Sequence, residues 1–224
     1  MFSVEGLINE YAEPAKVLRN GKMTVIEPLS EDETFRLRGF PPLEAFHTSG
    51  GTSTLPETFQ GKVGECFEKT LRYRGTLAGI RALYDLGLFS KEKMKFGKAE
   101  ISPREVTARL MCEKFAGQEP DVTIMRIEAH SKRPGKLRSL MGEKSPQRVL
   151  AFTMVDRFDK TTGMTSMMRT TAWPASVVVQ MLASGEIAKR GGIRQEVDVP
   201  ADAFLMAMES RGIQIEYAES ISHT

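Results

Sequence analysis

Long apolar runs are missing from this 224-residue chain: no stretch approaches the about 18 consecutive apolar residues that a membrane-spanning helix requires. The opening residues MFSVEGLINEYAEP carry acidic groups within the first turns and no apolar run of signal-peptide length. There are two cysteines, Cys66 and Cys112, far apart and outside any ligand spacing. That argues against a secreted disulfide scaffold and predicts two buried, reduced thiols in a cytoplasmic protein. With three histidines and no His/Cys/carboxylate grouping, no metal site is expected. Charge of one sign is also scarce. The formal net charge is +2, which supplies no electrostatic case for binding nucleic acid. Most consequential is a missing glycine pattern, because no G-x-G-x-x-G follows a strand. Gly61 with Gly64, Gly75 with Gly79, and Gly191 with Gly192 all miss the spacing that seats a dinucleotide pyrophosphate at a helix start. No cofactor-binding residue is therefore assigned.

The residues present divide into alternating local patterns. Phe2 to Val4 reads as a short strand feeding a helix from Glu5 to Tyr11. Lys16–Arg19 and Lys22–Ile26, joined by Asn20-Gly21, read as a hairpin, because a type I′ turn needs positive φ at both central residues. Leu43–Phe46 and Phe67–Tyr73 are strand-like. A helix is predicted from Thr76 to Leu86, with Leu77, Ile80 and Tyr84 on one face and Gly87 at its end. Ser102-Pro103-Arg104-Glu105 has the form of a capping box, followed by Val106, Leu110 and Cys112 as core-facing positions. Asp121–His130, Gln147–Asp156 and Met164–Thr171 read as strands, the last two joined tightly and paired antiparallel. Pro174 is expected to open a helix that Gly185 closes. A helix over Ala201–Ser210 and a short strand over Ile213–Tyr217 complete the pattern. The predicted architecture is α+β: a mixed, largely antiparallel sheet with helices packed on one face, spanning residues 1–224 as one domain.

Three places carry candidate chemistry. The loop His47-Thr48-Ser49-Gly50-Gly51-Thr52 follows a strand, and its glycines and hydroxyls suit a concave carboxylate site, although composition alone favours a plain surface turn. Arg72 and Arg74 share one strand face and present guanidinium forks to a carboxylate; the competing reading solvates them or pairs them with Glu68 or Asp85. His47 is the histidine best placed for proton transfer, whereas His130 reads as a structural hydrogen-bonder. The basic segment Ser131–Arg148 lacks interleaved aromatics and reads as a solvated loop.

Several segments in one order give a more specific signal. FSVEGLINEYAEPAKVLRNGK, LEAFHTSGGTSTLPETFQGKV, KTLRYRGTLAGIRALYDLGLF, ISPREV, VDRFDKTTGMTSMMRTTAWPASVVVQMLASGEI and FLMAMESRGIQIE together resemble the C-terminal region of the saccharopine dehydrogenase family, most closely bacterial lysine 6-dehydrogenases. The resemblance implies a two-part NAD- or NADP-dependent oxidoreductase. An N-terminal Rossmann domain holds the nicotinamide, and a following α+β domain binds the amino acid and forms a homodimer. On this reading the chain starts where the second part starts, the cofactor domain is absent from it, and it binds no cofactor and turns nothing over by itself. The implied reaction is oxidative deamination of lysine or saccharopine. The segments implied to line the substrate cleft are Phe2–Gly6, His47–Gly51 and Arg72–Gly75. Within them Arg72 and Arg74 are expected to hold a carboxylate, with Tyr73 beside them, and Thr48, Ser49, Gly50 and Gly51 to orient it. Glu5 is expected to recognise a distal ammonium and His47 to move the proton. The rival expectation is a non-catalytic dimerisation or amino-acid-sensing module.

Overall fold

The computed structural model describes residues 3–115, 117, 119–132 and 147–222. It divides into two compact units, Met1–Gly117 and Gln118–Thr224. Helices and antiparallel strands alternate in both, so the chain is α+β. The strands are not gathered into one sheet. Among the described residues they form four small ones, and every pairing is antiparallel.

The first unit opens with α1 (Val4–Ala12), so Val4 is helical rather than extended; Phe2, the start of the expected strand, lies outside the described residues. Ser3 supplies the cap, its hydroxyl accepting from the Gly6 amide at 3.3 Å. Val4, Ile8 and Tyr11 fall on one stripe and are buried. β1 (Ala15–Arg19) and β2 (Lys22–Ile26) form the expected hairpin, with φ of 52° at Asn20 and 73° at Gly21. β3 (Glu33–Phe35), β4 (Leu43–Phe46) and β5 (Thr70–Tyr73) make a three-stranded sheet with β4 central, and the short α2 (Leu55–Phe59) lies between β4 and β5 in sequence. α3 (Thr76–Asp85), a small hairpin of β6 (Met94–Phe96) and β7 (Ala99–Ile101), and α4 (Pro103–Lys114) follow. The core joins Val4, Ile8 and Tyr11 to Leu29, Phe46, Leu77, Phe89 and Ala108.

α4 has its capping box: the Ser102 hydroxyl accepts from the Glu105 amide, and the Glu105 carboxylate accepts from the Ser102 amide at 2.7 Å. Its rotation differs from the expectation. Val106, Leu110 and Cys112 face outward, while Arg104, Thr107 and Ala108 are buried. The phase is set by Arg104, whose guanidinium grips Glu5 and Asn9 of α1 and so turns a polar stripe inward. Neither thiol is fully buried: Cys66 is half-buried, which pushes its pKa up, and Cys112 is exposed.

The second unit is built on β8 (Val122–Lys132), β9 (Gln147–Arg157) and β10 (Ile215–Ser222), with β9 central. Most of the basic segment, 133–146, lies outside the described residues. The chain's largest departure from expectation is Met164–Thr171, which forms no strand. It begins α5 (Ser166–Ser184), and the third place in the sheet goes to β10, longer than the expected Ile213–Tyr217 run. Two caps start this helix. The Thr165 hydroxyl accepts from the Met168 amide, and the Asp121 carboxylate accepts from the Ser166 and Met167 amides at 2.6 and 2.9 Å. Pro174 therefore sits inside the helix instead of opening it, removing one backbone donor without ending the element. Gly185, at φ 85°, closes α5 as expected. α6 (Gln195–Asp198) and α7 (Ala201–Glu209) follow, and α5 packs on β8, β9 and α7 around Met154, Val177, Met181, Met208 and Ile213. Among the described residues no helix is long and apolar enough to cross a membrane.

Candidate functional site

The end of β4 delivers His47 into the interior of the first unit, where its side chain is wholly buried. Backbone bonds fix it there: the His47 amide donates to the Ser30 carbonyl and the His47 carbonyl accepts from the Leu29 amide. Nδ1 lies 2.9 Å from the Glu68 carbonyl oxygen, which can only accept, so Nδ1 carries a proton. Nε2 lies 3.1 Å from the Glu31 carboxylate, and Phe67 packs edge-on against the ring. Both nitrogens are engaged by protein groups. The bond from His47 is the largest influence holding the Glu31 carboxyl below the usual carboxylate range.

The hydroxyls that follow are also engaged. Thr48 shares a hydrogen bond with Thr70 at 2.8 Å, and Thr52 donates to the Lys16 carbonyl. Ser49 caps the C-terminus of α1, its amide donating to the Glu10 carbonyl at 3.0 Å and its hydroxyl to the Asn9 carbonyl at 3.1 Å. The Glu10 carbonyl has no donor four residues on, because Pro14 carries no N–H, whereas the Asn9 carbonyl also accepts from the Glu13 amide at 2.9 Å. Gly50 turns the loop with φ 90°, and Gly51 then passes so close to Glu68 that a Cβ there would lie 2.2 Å from the Glu68 carboxylate.

Beneath this loop is a group of side chains whose joint role does not show in the linear pattern. Glu10 of α1 and Glu68, just before β5, both have raised pKa values. Burial is the main cause for each; for Glu68 the nearby Glu10 charge adds to it, and Arg72 opposes the rise in both. Arg72 donates from Nε to the Tyr11 hydroxyl at 3.0 Å and from Nη1 to the Leu71 carbonyl. Residue alternation held a clue: Glu68, Thr70 and Arg72 recur at period two on one strand face. No comparable signal marks Glu10, which α1 brings in from elsewhere in the chain.

The structure thus gathers His47, Thr48, Gly51 and Arg72 around Glu68, with Ser49 tied to α1 beside Glu10. It does not bring Tyr73 and Arg74 inward; both are exposed at the end of β5. Glu5 is held apart from the carboxylate pair, its carboxylate 2.7 Å from Arg104. Asn9 links the two places, its backbone oxygen accepting from Ser49 and its side-chain oxygen from Arg104.

No group of described residues has the composition of a metal site. The described residues do not fit a dinucleotide pyrophosphate either. The joint from β5 through Gly75 into α3 is a strand–glycine–helix turn, but its donors are taken: the Gly75 and Leu77 amides donate to the Glu44 carboxylate. Among the described residues every strand pairing is antiparallel, so no parallel strand pair there flanks such a turn.

Comparison with known proteins agrees with the fold. The family model described as the saccharopine dehydrogenase C-terminal domain matches residues 1–213. Among solved structures, the apo, histidine-tagged saccharopine dehydrogenase (L-Glu forming) from Saccharomyces cerevisiae superposes with a TM-score of 0.66 at 15% identity. The match covers 97% of this chain and 61% of the yeast chain, so the present chain spans under two thirds of that protein.

Proposed function

Because the chain belongs to the saccharopine dehydrogenase C-terminal domain family, we propose that it is the substrate-binding part of an NAD- or NADP-dependent oxidoreductase that deaminates lysine or saccharopine. The family match over residues 1–213 carries this reading. The nicotinamide belongs to a separate Rossmann domain of the parent protein, since these residues offer it no seat. We place the reaction in the cytoplasm, where free thiols such as Cys66 and Cys112 stay reduced.

The side chains divide the work by charge. Arg72 takes a substrate carboxylate, with Arg74 and Tyr73 at the exposed strand end and the Thr48–Gly51 loop shaping the approach. Glu10 and Glu68 receive the amine. A carboxyl whose pKa burial has raised is a better proton acceptor near neutrality than a solvated one, and an amine must lose its proton before the carbon beside it is oxidised. His47, enclosed and bonded at both nitrogens, positions the Glu68 segment, while Glu5 orients α1 through Arg104. The homodimer is supported by the sheet of the second unit. Ile127, Phe152 and Tyr217 lie in register across β8, β9 and β10, and Ile127, Tyr217 and Ile221 are at least half exposed.

Calorimetric titration of the chain with L-lysine and with saccharopine tests the reading, alone and with a separately produced Rossmann-domain protein. Saturable binding of one ligand, lost in Arg72→Met, is the expected result. Absence of binding to both under both conditions refutes it.

A further inference from the structure

Tyr11 ends the buried stripe of α1, where helical spacing from Val4 and Ile8 turns its ring into the core. The residue is 2% exposed, and its ring packs against Phe46 with centroids 6.4 Å apart. The ring is thus held by packing, and the hydroxyl beyond it accepts from Arg72 Nε at 3.0 Å. The Leu71 carbonyl accepts from Arg72 Nη1 at 2.9 Å. Two anchors fix the direction of a planar guanidinium, and any fork that uses Nε is already spent. Nη2 and the second proton of Nη1 remain. Arg72 is only partly buried, and Nη2 has no partner among the described residues and is not sealed from solvent, so a ligand can reach it.

What sets Arg72 apart is the kind of anchor. Arg19, Arg104 and Arg169 are also drawn out of solvent, and each holds a carboxylate. Both acceptors of Arg72 are uncharged, a phenol and a peptide carbonyl. The carboxyls of Glu10 and Glu68 feel its field, yet neither accepts a hydrogen bond from it. A hydroxyl can orient a cation without neutralising it, which leaves the charge for an anion to claim. A carboxylate in the place of the Tyr11 hydroxyl would orient the side chain equally well and cancel it.

We propose that Tyr11 is a positioning residue that aims Arg72 at the substrate carboxylate and so sets the preference of the site for amines that carry one. The inference rests on the reading of Arg72 as the holder of that carboxylate. Without the hydroxyl, Nε turns to water or toward Glu10 and Glu68, and the guanidinium loses either its direction or its free charge.

The test is calorimetry of the whole chain, alone and with a separately produced Rossmann-domain protein, using L-lysine and L-lysinamide as the probes. They differ in having a carboxylate or a neutral amide, and a charge-assisted bond is worth about tenfold or more in affinity. The wild type is therefore expected to prefer lysine by at least about tenfold, and Tyr11→Phe to prefer it by less than about threefold. Differences in amine basicity between the probes are common to both proteins and cancel in the comparison. Phe46→Leu disturbs the same packing but spares the hydroxyl, so it should lower the urea midpoint and keep the preference. NMR of the arginine side chains supplies a readout without ligand: the Arg72 Nε proton should exchange with water faster in Tyr11→Phe than in the wild type. The proposal is overturned if Tyr11→Phe discriminates as well as the wild type, if Phe46→Leu loses the preference too, or if the Nε proton exchanges equally fast in both. A wild type that binds neither probe under either condition sinks the reading of the site itself, and the inference with it. Binding with discrimination that Tyr11→Phe leaves intact sinks the inference alone.

Discussion

Replacing Gly51 by alanine should act almost entirely through Glu68. A Cβ at position 51 would stand 2.2 Å from one Glu68 carboxylate oxygen, 2.5 Å from its carboxyl carbon and 2.9 Å from its Cγ. Ordinary van der Waals contact begins near 3.4 Å, so the carboxylate oxygen must retreat by about 1.2 Å. The clashing atoms belong to a flexible side chain, and the Gly51 backbone does not lie in the left-handed region. Turning Glu68 aside costs about 0.5–1.5 kcal/mol if it is forced off its rotamer. Restricting the unfolded chain returns about 0.4–1 kcal/mol. At pH 4 the net change is therefore a loss of at most about 1 kcal/mol. At pH 8 the sign shifts in favour of the variant, because a carboxylate moved from under the loop no longer suffers the burial that raises its pKa. Urea unfolding at the two pH values, with side-chain carboxyl NMR to follow Glu68, checks both halves. A loss above about 3 kcal/mol at both pH values would show that the backbone moves instead. An unshifted Glu68 titration would equally refute the reasoning.

Two carboxylates should respond oppositely to neutralisation. The raised pKa of Glu68 means that its stabilising contribution is complete below the ordinary carboxylate range and is lost as pH rises through the folded value. Glu68→Gln should thus gain stability over wild type progressively above about pH 4.3. The pKa of Glu31 is lowered, chiefly by the His47 hydrogen bond, so its contribution is present at neutral pH and lost as pH falls. Glu31→Gln should be less stable than wild type at neutral pH and converge with it in acid; parallel slopes for the two variants would contradict the assignment. At the start of α4, Ser102→Ala should cost about 0.5–2 kcal/mol and Ser102→Gly only a few tenths, measured by chemical denaturation. A neutral alanine variant would mean the capping box contributes nothing.

Features set within a few residues were legible in the sequence. Asn20-Gly21 specifies its turn because positive φ at both positions is a local demand, and Ser102 with Glu105 specifies a cap for the same reason. Features set from a distance were not. Val106 and Leu110 look like core residues until Arg104 reaches α1, 99 positions away from Glu5, and fixes the helix rotation. The Met164–Thr171 run has strand-like β-branched content and ends near a proline. Its helical state depends on Asp121 and on β10 taking the place beside β9. In the candidate site, the loop from His47 to Gly51 and Arg72 stood out by composition. Glu10 did not, because only the fold brings its carboxylate near Glu68.

The Asp121 cap also bears on the order in which the second unit assembles. Two of the three amides capped at the start of α5 donate to a carboxylate 45 and 46 positions upstream, and the helix carries Pro174 within it. Cut out as a peptide, that segment would lack the distant cap and keep the proline, leaving it a poor helix in water. Closing so long a loop is slow relative to winding a local turn. The helix is therefore fully capped only when the strand beginning at Val122 lies beside its first turn, so in this unit the sheet secures the helix.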